Sequence, residues 1–169
     1  PGAITAGGTL RITSGTVNLD YSAGVPLTVT GTLLTEGSGT ITTSNGGSTV
    51  AIDVTTGTVD VSGLILTKLG NYGAVEGLTI ESGATITNLN DLQFNAPYSY
   101  GIFLNRTAAE SITLRGCQFN SNKPAANYNI RVPAGAMGVS VENPIGVGGQ
   151  EDSTGGNNIG GEENDSDAG

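Results

Sequence analysis

The stretch Thr58-Val59-Asp60-Val61-Ser62-Gly63-Leu64-Ile65-Leu66 carries apolar residues at alternate positions, breaks at Ser62-Gly63, and resumes with Leu64 and Leu66. Alternation with period two is the pattern of a half-buried β-strand, and a glycine at the break marks a sharp bend, because glycine enters positive φ at little cost. The strand before the break recurs as Thr9-Leu10-Arg11-Ile12, Thr32-Leu33-Leu34-Thr35, Thr85-Ile86-Thr87-Asn88, Ser111-Ile112-Thr113-Leu114 and Gly138-Val139-Ser140-Val141. Successive starts, counting Thr58, lie 23, 26, 27, 26 and 27 residues apart.

A near-constant period in the twenties is what stacked repeats produce, because each turn of chain buries its apolar face only against its neighbours. The bend recurs as Ser14-Gly15, Ser38-Gly39, Ser62-Gly63, Asn90-Asp91, Arg115-Gly116 and Glu142-Asn143. After it a third strand is expected at Val17 and Leu19, Ile41, Leu64 and Leu66, Leu92 and Phe94, Cys117 and Phe119, and Ile145 and Val147. A first strand precedes the alternation at Leu27-Thr28-Val29, Ile52-Asp53-Val54, Leu78-Thr79-Ile80, Ile102-Phe103-Leu104 and Ile130-Arg131-Val132. The expected architecture is all-β: a solenoid of about six three-strand coils over residues 1–147, followed by a Gly/Asn/acidic tail over 148–169. Leu10, Leu33, Val59, Ile86, Ile112 and Val139 should stack as one buried column, with Leu66, Phe94, Phe119 and Val147 as a second. Cys117 falls inward between Leu92 and Ile145 and reads as a small buried hydrophobe.

Composition supports a thin aliphatic core. The 169 residues include three Phe and no Trp, while 28 glycines and abundant Thr, Ser and Asn indicate many turns joining short strands. A net charge of −9, with Arg11, Lys68, Arg106, Arg115, Lys123 and Arg131 scattered singly, disfavours nucleic acid and anionic membrane surfaces. No stretch approaches a membrane span, so insertion is not expected. The chain opens inside the pattern at Pro1-Gly2-Ala3-Ile4, which reads as a mature or excised segment.

This three-strand coil with its tight bend, and above all Ser111-Ile112-Thr113-Leu114-Arg115-Gly116-Cys117-Gln118-Phe119-Asn120-Ser121-Asn122, resembles the right-handed parallel β-helix superfamily, the pectate-lyase-like fold. Phe119-Asn120-Ser121-Asn122 also resembles the Phe-x-x-Asn element of bacterial surface proteins; Phe94-Asn95-Ala96-Pro97 lacks the second Asn. The resemblance implies a right-handed β-helix. The fold serves lyases, hydrolases, tailspikes and adhesins alike, so it implies no single activity.

The Asn-Thr-Asp, Asp-Asp, Gly-His-Gly and Arg-Ile-Lys set of polygalacturonase-like members is absent, and without histidine no Ser/His/Asp or Cys/His triad can form. Asp53, Asp60, Glu81 and Arg131 are the nearest approach to a lyase set of acids beside a base, and they read as a solvated polar face. The hydroxyl ladder Thr9, Thr32, Thr58, Thr85 and Ser111 suggests an ice-binding surface, but its neighbouring column Arg11, Leu34, Asp60, Thr87, Thr113 and Ser140 is mixed, and β-propensity explains the threonines more simply. No cofactor is expected. Acids of the tail, Glu151, Asp152, Glu162, Glu163, Asp165 and Asp167, could offer oxygens to Ca²⁺ but lack the spacing of calcium-binding repeats. Asn105 and Asn164 begin N-glycosylation sequons.

Two functions are therefore expected. The first is a non-enzymatic extracellular or cell-surface structural protein, a fibre subunit or adhesin-type solenoid whose partner is a second copy stacked end to end. The alternative is a polysaccharide-binding or polysaccharide-degrading protein using glycan-stacking tyrosines on the variable edge between third and first strands: Tyr72, Tyr98, Tyr100 and Tyr128.

Overall fold

A computed structural model of the chain describes residues 4–19, 27–43, 52–67, 69, 77–95, 101–106, 111–120, 128–131, 138–142, 145–147, 150–152 and 158–161. Within them the chain is all-β, without helix. Strands β1 (Ile4–Ala6), β2 (Thr9–Ile12) and β3 (Thr16–Leu19) make the first repeat, and β4 (Leu27–Val29), β5 (Thr32–Glu36) and β6 (Thr40–Thr43) the second. In the next two repeats the first pair of strands runs on as one, giving β7 (Ile52–Ser62) with β8 (Ile65–Thr67), and β9 (Leu78–Asn90) with β10 (Gln93–Asn95). Then follow β11 (Ile102–Asn105), β12 (Ser111–Arg115) and β13 (Gln118–Asn120), and β14 (Tyr128–Arg131), β15 (Gly138–Glu142) and β16 (Ile145–Val147). Beyond Val147 come β17 (Gln150–Asp152) and β18 (Asn158–Gly161), which extend the ladders of β14 and β15.

Every strand pairs in parallel with its counterpart one repeat away. Two sheets result, one of twelve strands, β1-β4-β7-β9-β11-β14-β17 with β2-β5 and β12-β15-β18 joined to it, and one of six, β3-β6-β8-β10-β13-β16. Neither closes on itself.

Register turns sequence alternation into columns. Leu27, Ile52, Leu78, Ile102 and Ile130 stand opposite one another, as do Val29, Val54, Ile80 and Leu104. All are buried, in one continuous core with Val59, Leu66 and Phe94. Thr35 is a polar residue buried beside that core, 2% exposed. Its hydroxyl accepts from the Ser62 N–H at 2.9 Å and donates to the Ser62 carbonyl at 3.2 Å, so its burial leaves no unpaired group.

Left-handed residues occupy the bend after the second strand: Gly15 (φ 79°), Gly37 (93°), Gly63 (79°), Asp91 (52°) and Gly116 (64°). Glu36 stands opposite Ser62, which makes Gly37 rather than Gly39 the equivalent of Gly63. Ser38-Gly39 thus lies two residues past the bend, and Thr40 standing opposite Ile65 shows that this repeat carries one extra residue at the corner. Gly146 stands opposite Phe119, and Ile145 opposite Gln118. Val147 therefore pairs with Asn120 and is not the continuation of the Leu66–Phe94–Phe119 column. By the same register Cys117 lies beside Leu92 but not beside Ile145.

Glycines make the other corner, between first and second strands. The Thr32 N–H donates to the Gly8 carbonyl at 2.9 Å and the Thr58 N–H to the Gly31 carbonyl at 3.1 Å, while Gly57 stands opposite Ala84. Gly8, Gly31, Gly57 and Ala84 thus stack directly. A Cβ on Gly57 would fall within van der Waals overlap of the Gly31 carbonyl, so the column admits no side chain there.

Candidate functional site

Between β9 and β12 the ladder falls to a single register pair. In β9 the apolar residues Ile86 and Leu89 are three apart, with Thr87-Asn88 between them. Val59 pairs with Ile86 but Asp60 pairs with Asn88, which leaves Thr87 as an extra residue in a β-bulge. Asn88, not Thr87, therefore continues the Arg11–Leu34–Asp60 column, and its amide donates to the Asp60 carboxylate at 2.7 Å. On its other side β9 meets β12 through a single register pair, Asn90 with Arg115. The expected column from Leu10 to Val139 is consequently interrupted between Ile86 and Ile112, though Leu10–Leu33–Val59–Ile86 and Ile112–Val139 stand in register on either side.

Arg106 supplies donors to two backbone carbonyls at the corner where the strands part. In the preceding repeats the corner carbonyls of Gly8 and Gly31 accept from the next strand's threonine N–H. At Ala84 the Arg106 guanidinium takes that place, its Nη1 donating to the Ala84 carbonyl at 2.5 Å and to the Glu81 carbonyl at 2.8 Å. Arg106 is 5% exposed, a buried cation held by carbonyl dipoles. Beside it the Asn105 amide donates to the Glu81 carboxylate at 2.6 Å.

The parted strands enclose a cleft of about 620 Å³. Thr85, Thr87, Asn88 and Asn90 line it from β9, Thr113 and Arg115 from β12, and Arg106 from the corner between them. Ile86, Leu89 and Ile112 supply its apolar patches. Among the described residues no acidic side chain lines it, although the chain carries a net charge of −9. Hydroxyls, carboxamides and the Arg115 guanidinium can together donate and accept hydrogen bonds, and the buried Arg106 adds positive charge behind the wall that favours an anionic group.

The residues singled out in the sequence are placed unevenly. Tyr72, Tyr98, Tyr100 and Asn164 lie outside the described residues, and Tyr128 is described as the first residue of β14, whose backbone stands opposite Gln150. Asn105 is half-buried at the end of β11 with its amide nitrogen donating to Glu81. Asp53, Asp60, Glu81 and Arg131 are not brought together. Asp53 shares a column with Thr79 and Phe103, and Arg131 follows only beyond Phe103. Asp53 Oδ1 is buried without a hydrogen-bond partner among the described residues, and burial raises its pKa above the ordinary 3.8. Cys117 is fully buried, and desolvation pushes its thiol up to about 12. Among the described residues no group of three or more His, Cys, Asp or Glu could hold a metal ion; of the tail acids expected to offer oxygens to Ca²⁺, Glu151 and Asp152 lie in β17, and Glu162, Glu163, Asp165 and Asp167 lie outside the described residues.

The cleft was not visible as a site in the alternation. Its signal was the three-residue step from Ile86 to Leu89, which a period-two reading passes over, while the burial of Arg106 had no local signal. No protein-family model, no curated protein and no solved structure matches this chain.

Proposed function

We propose that this chain is a right-handed parallel β-helix acting as a non-enzymatic structural protein at the cell surface or outside the cell, and that its copies associate end to end. The supporting observation is the in-register parallel ladder. Three strands of every full repeat pair with the next repeat, and among the described residues β1, β2 and β3 pair on one side only, as do β16, β17 and β18 at the other end. An unpaired parallel edge is a template for another strand, and the two ends present complementary edges of the same three-strand cross-section. Joining one end to the other is a heterologous contact, which propagates as a filament when it does not close into a ring. Val17, at the end of the third column, is 38% exposed while its partner Ile41 is fully buried, so the end offers apolar surface for such stacking. The hydroxyl-rich, acidic surface supports an extracellular setting.

Sedimentation velocity and negative-stain microscopy over a hundredfold concentration range test this reading. Filaments one rod wide that shorten when Val17→Lys charges the edge are the expected result. Single short rods at every concentration, unaltered by Val17→Lys, would overturn it.

A further inference from the structure

We propose that the cleft between β9 and β12 binds a short oligosaccharide carrying an oxyanion group. Three observations converge there. The volume, about 620 Å³, lies within the roughly 300–1,000 Å³ of small-molecule sites. The cleft is built into the backbone: the Thr87 bulge ends the ladder on one wall, and the Arg106 guanidinium satisfies the carbonyls of Glu81 and Ala84 at the corner, so the gap does not leave those carbonyls bare. The wall chemistry is specific. Thr85, Thr87, Thr113, Asn88 and Asn90 present groups that both donate and accept, which suits a polyol, and Ile86 and Ile112 present apolar surface to the C–H face of a ring.

The charge narrows the class. Arg115 on the exposed wall and Arg106 buried behind it are two of only six basic side chains in the chain, and among the described residues no acid shares the lining. A guanidinium fork matches the planar or tetrahedral oxygens of a carboxylate or sulfate ester better than it matches a neutral hydroxyl. A polyanion is disfavoured by the net charge of −9, whereas a short ligand with one or two anionic groups feels mainly the local pair. The shared chemistry is thus an oxyanion on a hydroxylated scaffold.

Isothermal titration calorimetry on the full chain, with a sulfated disaccharide, a uronate-containing disaccharide and a neutral disaccharide as probes, tests the site. At least one anionic probe should bind about tenfold or more tightly than the neutral one, and which anionic probe binds distinguishes sulfate ester from carboxylate. Arg115→Gln, on the exposed wall, should weaken that binding about tenfold, and Thr113→Trp should abolish it by filling the cleft, while Thr9→Trp, far along the same face, should leave it intact. Circular dichroism on each variant separates lost binding from lost fold. Absence of binding by all three probes, equal binding of the neutral probe, or unchanged affinity in folded Arg115→Gln would overturn the proposal.

Discussion

Replacing Gly57 with alanine imposes two separate costs, and neighbouring glycines allow each to be measured alone. Gly8 lies outside the left-handed region and has nothing within 4 Å of the place a Cβ would take. Gly15 has φ +79° and equally open space, so it isolates the backbone cost. Gly31 lies outside the left-handed region but packs its Cβ position onto the Gly8 carbonyl, which isolates the steric cost at an end repeat. Gly57 combines φ +86° with the Gly31 carbonyl on one side and Ala84 on the other, so neither neighbouring strand is free to withdraw. A non-glycine residue in the left-handed region costs about 1–2 kcal/mol, and forcing extra volume into a packed position costs about 1–3 kcal/mol. Gly8→Ala should therefore be neutral or slightly stabilising, Gly15→Ala should cost about 1–2 kcal/mol, and Gly57→Ala about 3–5 kcal/mol as the sum of both effects. Urea unfolding followed by far-UV circular dichroism gives the values, compared at constant m so that a change in cooperativity is not read as a change in stability. If Gly57→Ala costs no more than Gly15→Ala, the close stacking of the glycine column contributes nothing and the account of that corner is wrong.

Other perturbations probe the core and its charges. Thr35→Val keeps the shape but strips the Ser62 N–H and carbonyl of their partner, and should cost about 1–2 kcal/mol in the same urea assay. Phe94→Ala removes the largest fully buried side chain among the described residues and should cost about 3–5 kcal/mol, with the folded fraction at 37 °C as a second readout. Cys117, with its thiol near 12, should resist iodoacetamide at pH 8 in the native protein and react once urea unfolds it; labelling at equal rates in both would contradict its burial. The Asp53 carboxyl has a raised folded-state pKa, so between 3.8 and that higher value the folded chain binds more protons than the unfolded one, and stability declines as pH rises through the window. Asp53→Asn should accordingly raise the urea midpoint at pH 7 and bring no such gain once pH falls below the unfolded value.

Strand positions, the buried columns and the use of Gly or Asp at the bends were legible because period-two alternation and positive φ each leave a residue-level trace. Leu27, Ile52, Leu78 and Ile102 are spaced so that any in-register stacking buries them together. What strict alternation does not carry is a count of inserted residues: Ser38 at one corner and Thr87 in β9 each displace the register by one, Ser38 among polar residues where the pattern is silent and Thr87 marked only by the three-residue step from Ile86 to Leu89. The strands beyond Val147 have the same cause, since Asn158–Gly161 pairs through its backbone with β15 and shows little apolar periodicity of its own. The candidate cleft was illegible for a different reason. Arg106 acts through its side chain on carbonyls more than twenty residues away, a relation that exists only after the repeats are stacked.

The parting of β9 from β12 has a mechanical consequence. At that level the first and third strands of the repeat remain laddered, β9 to β11 and β10 to β13, while the second is joined by one register pair. In the proposed β-helix, a rod stitched along two of its three sides is stiff against stretching, because the intact seams share the load. Against bending it has one soft direction, with the unstitched side as the outside of the curve, so flexure would concentrate at this level and the cleft would widen as the rod bows.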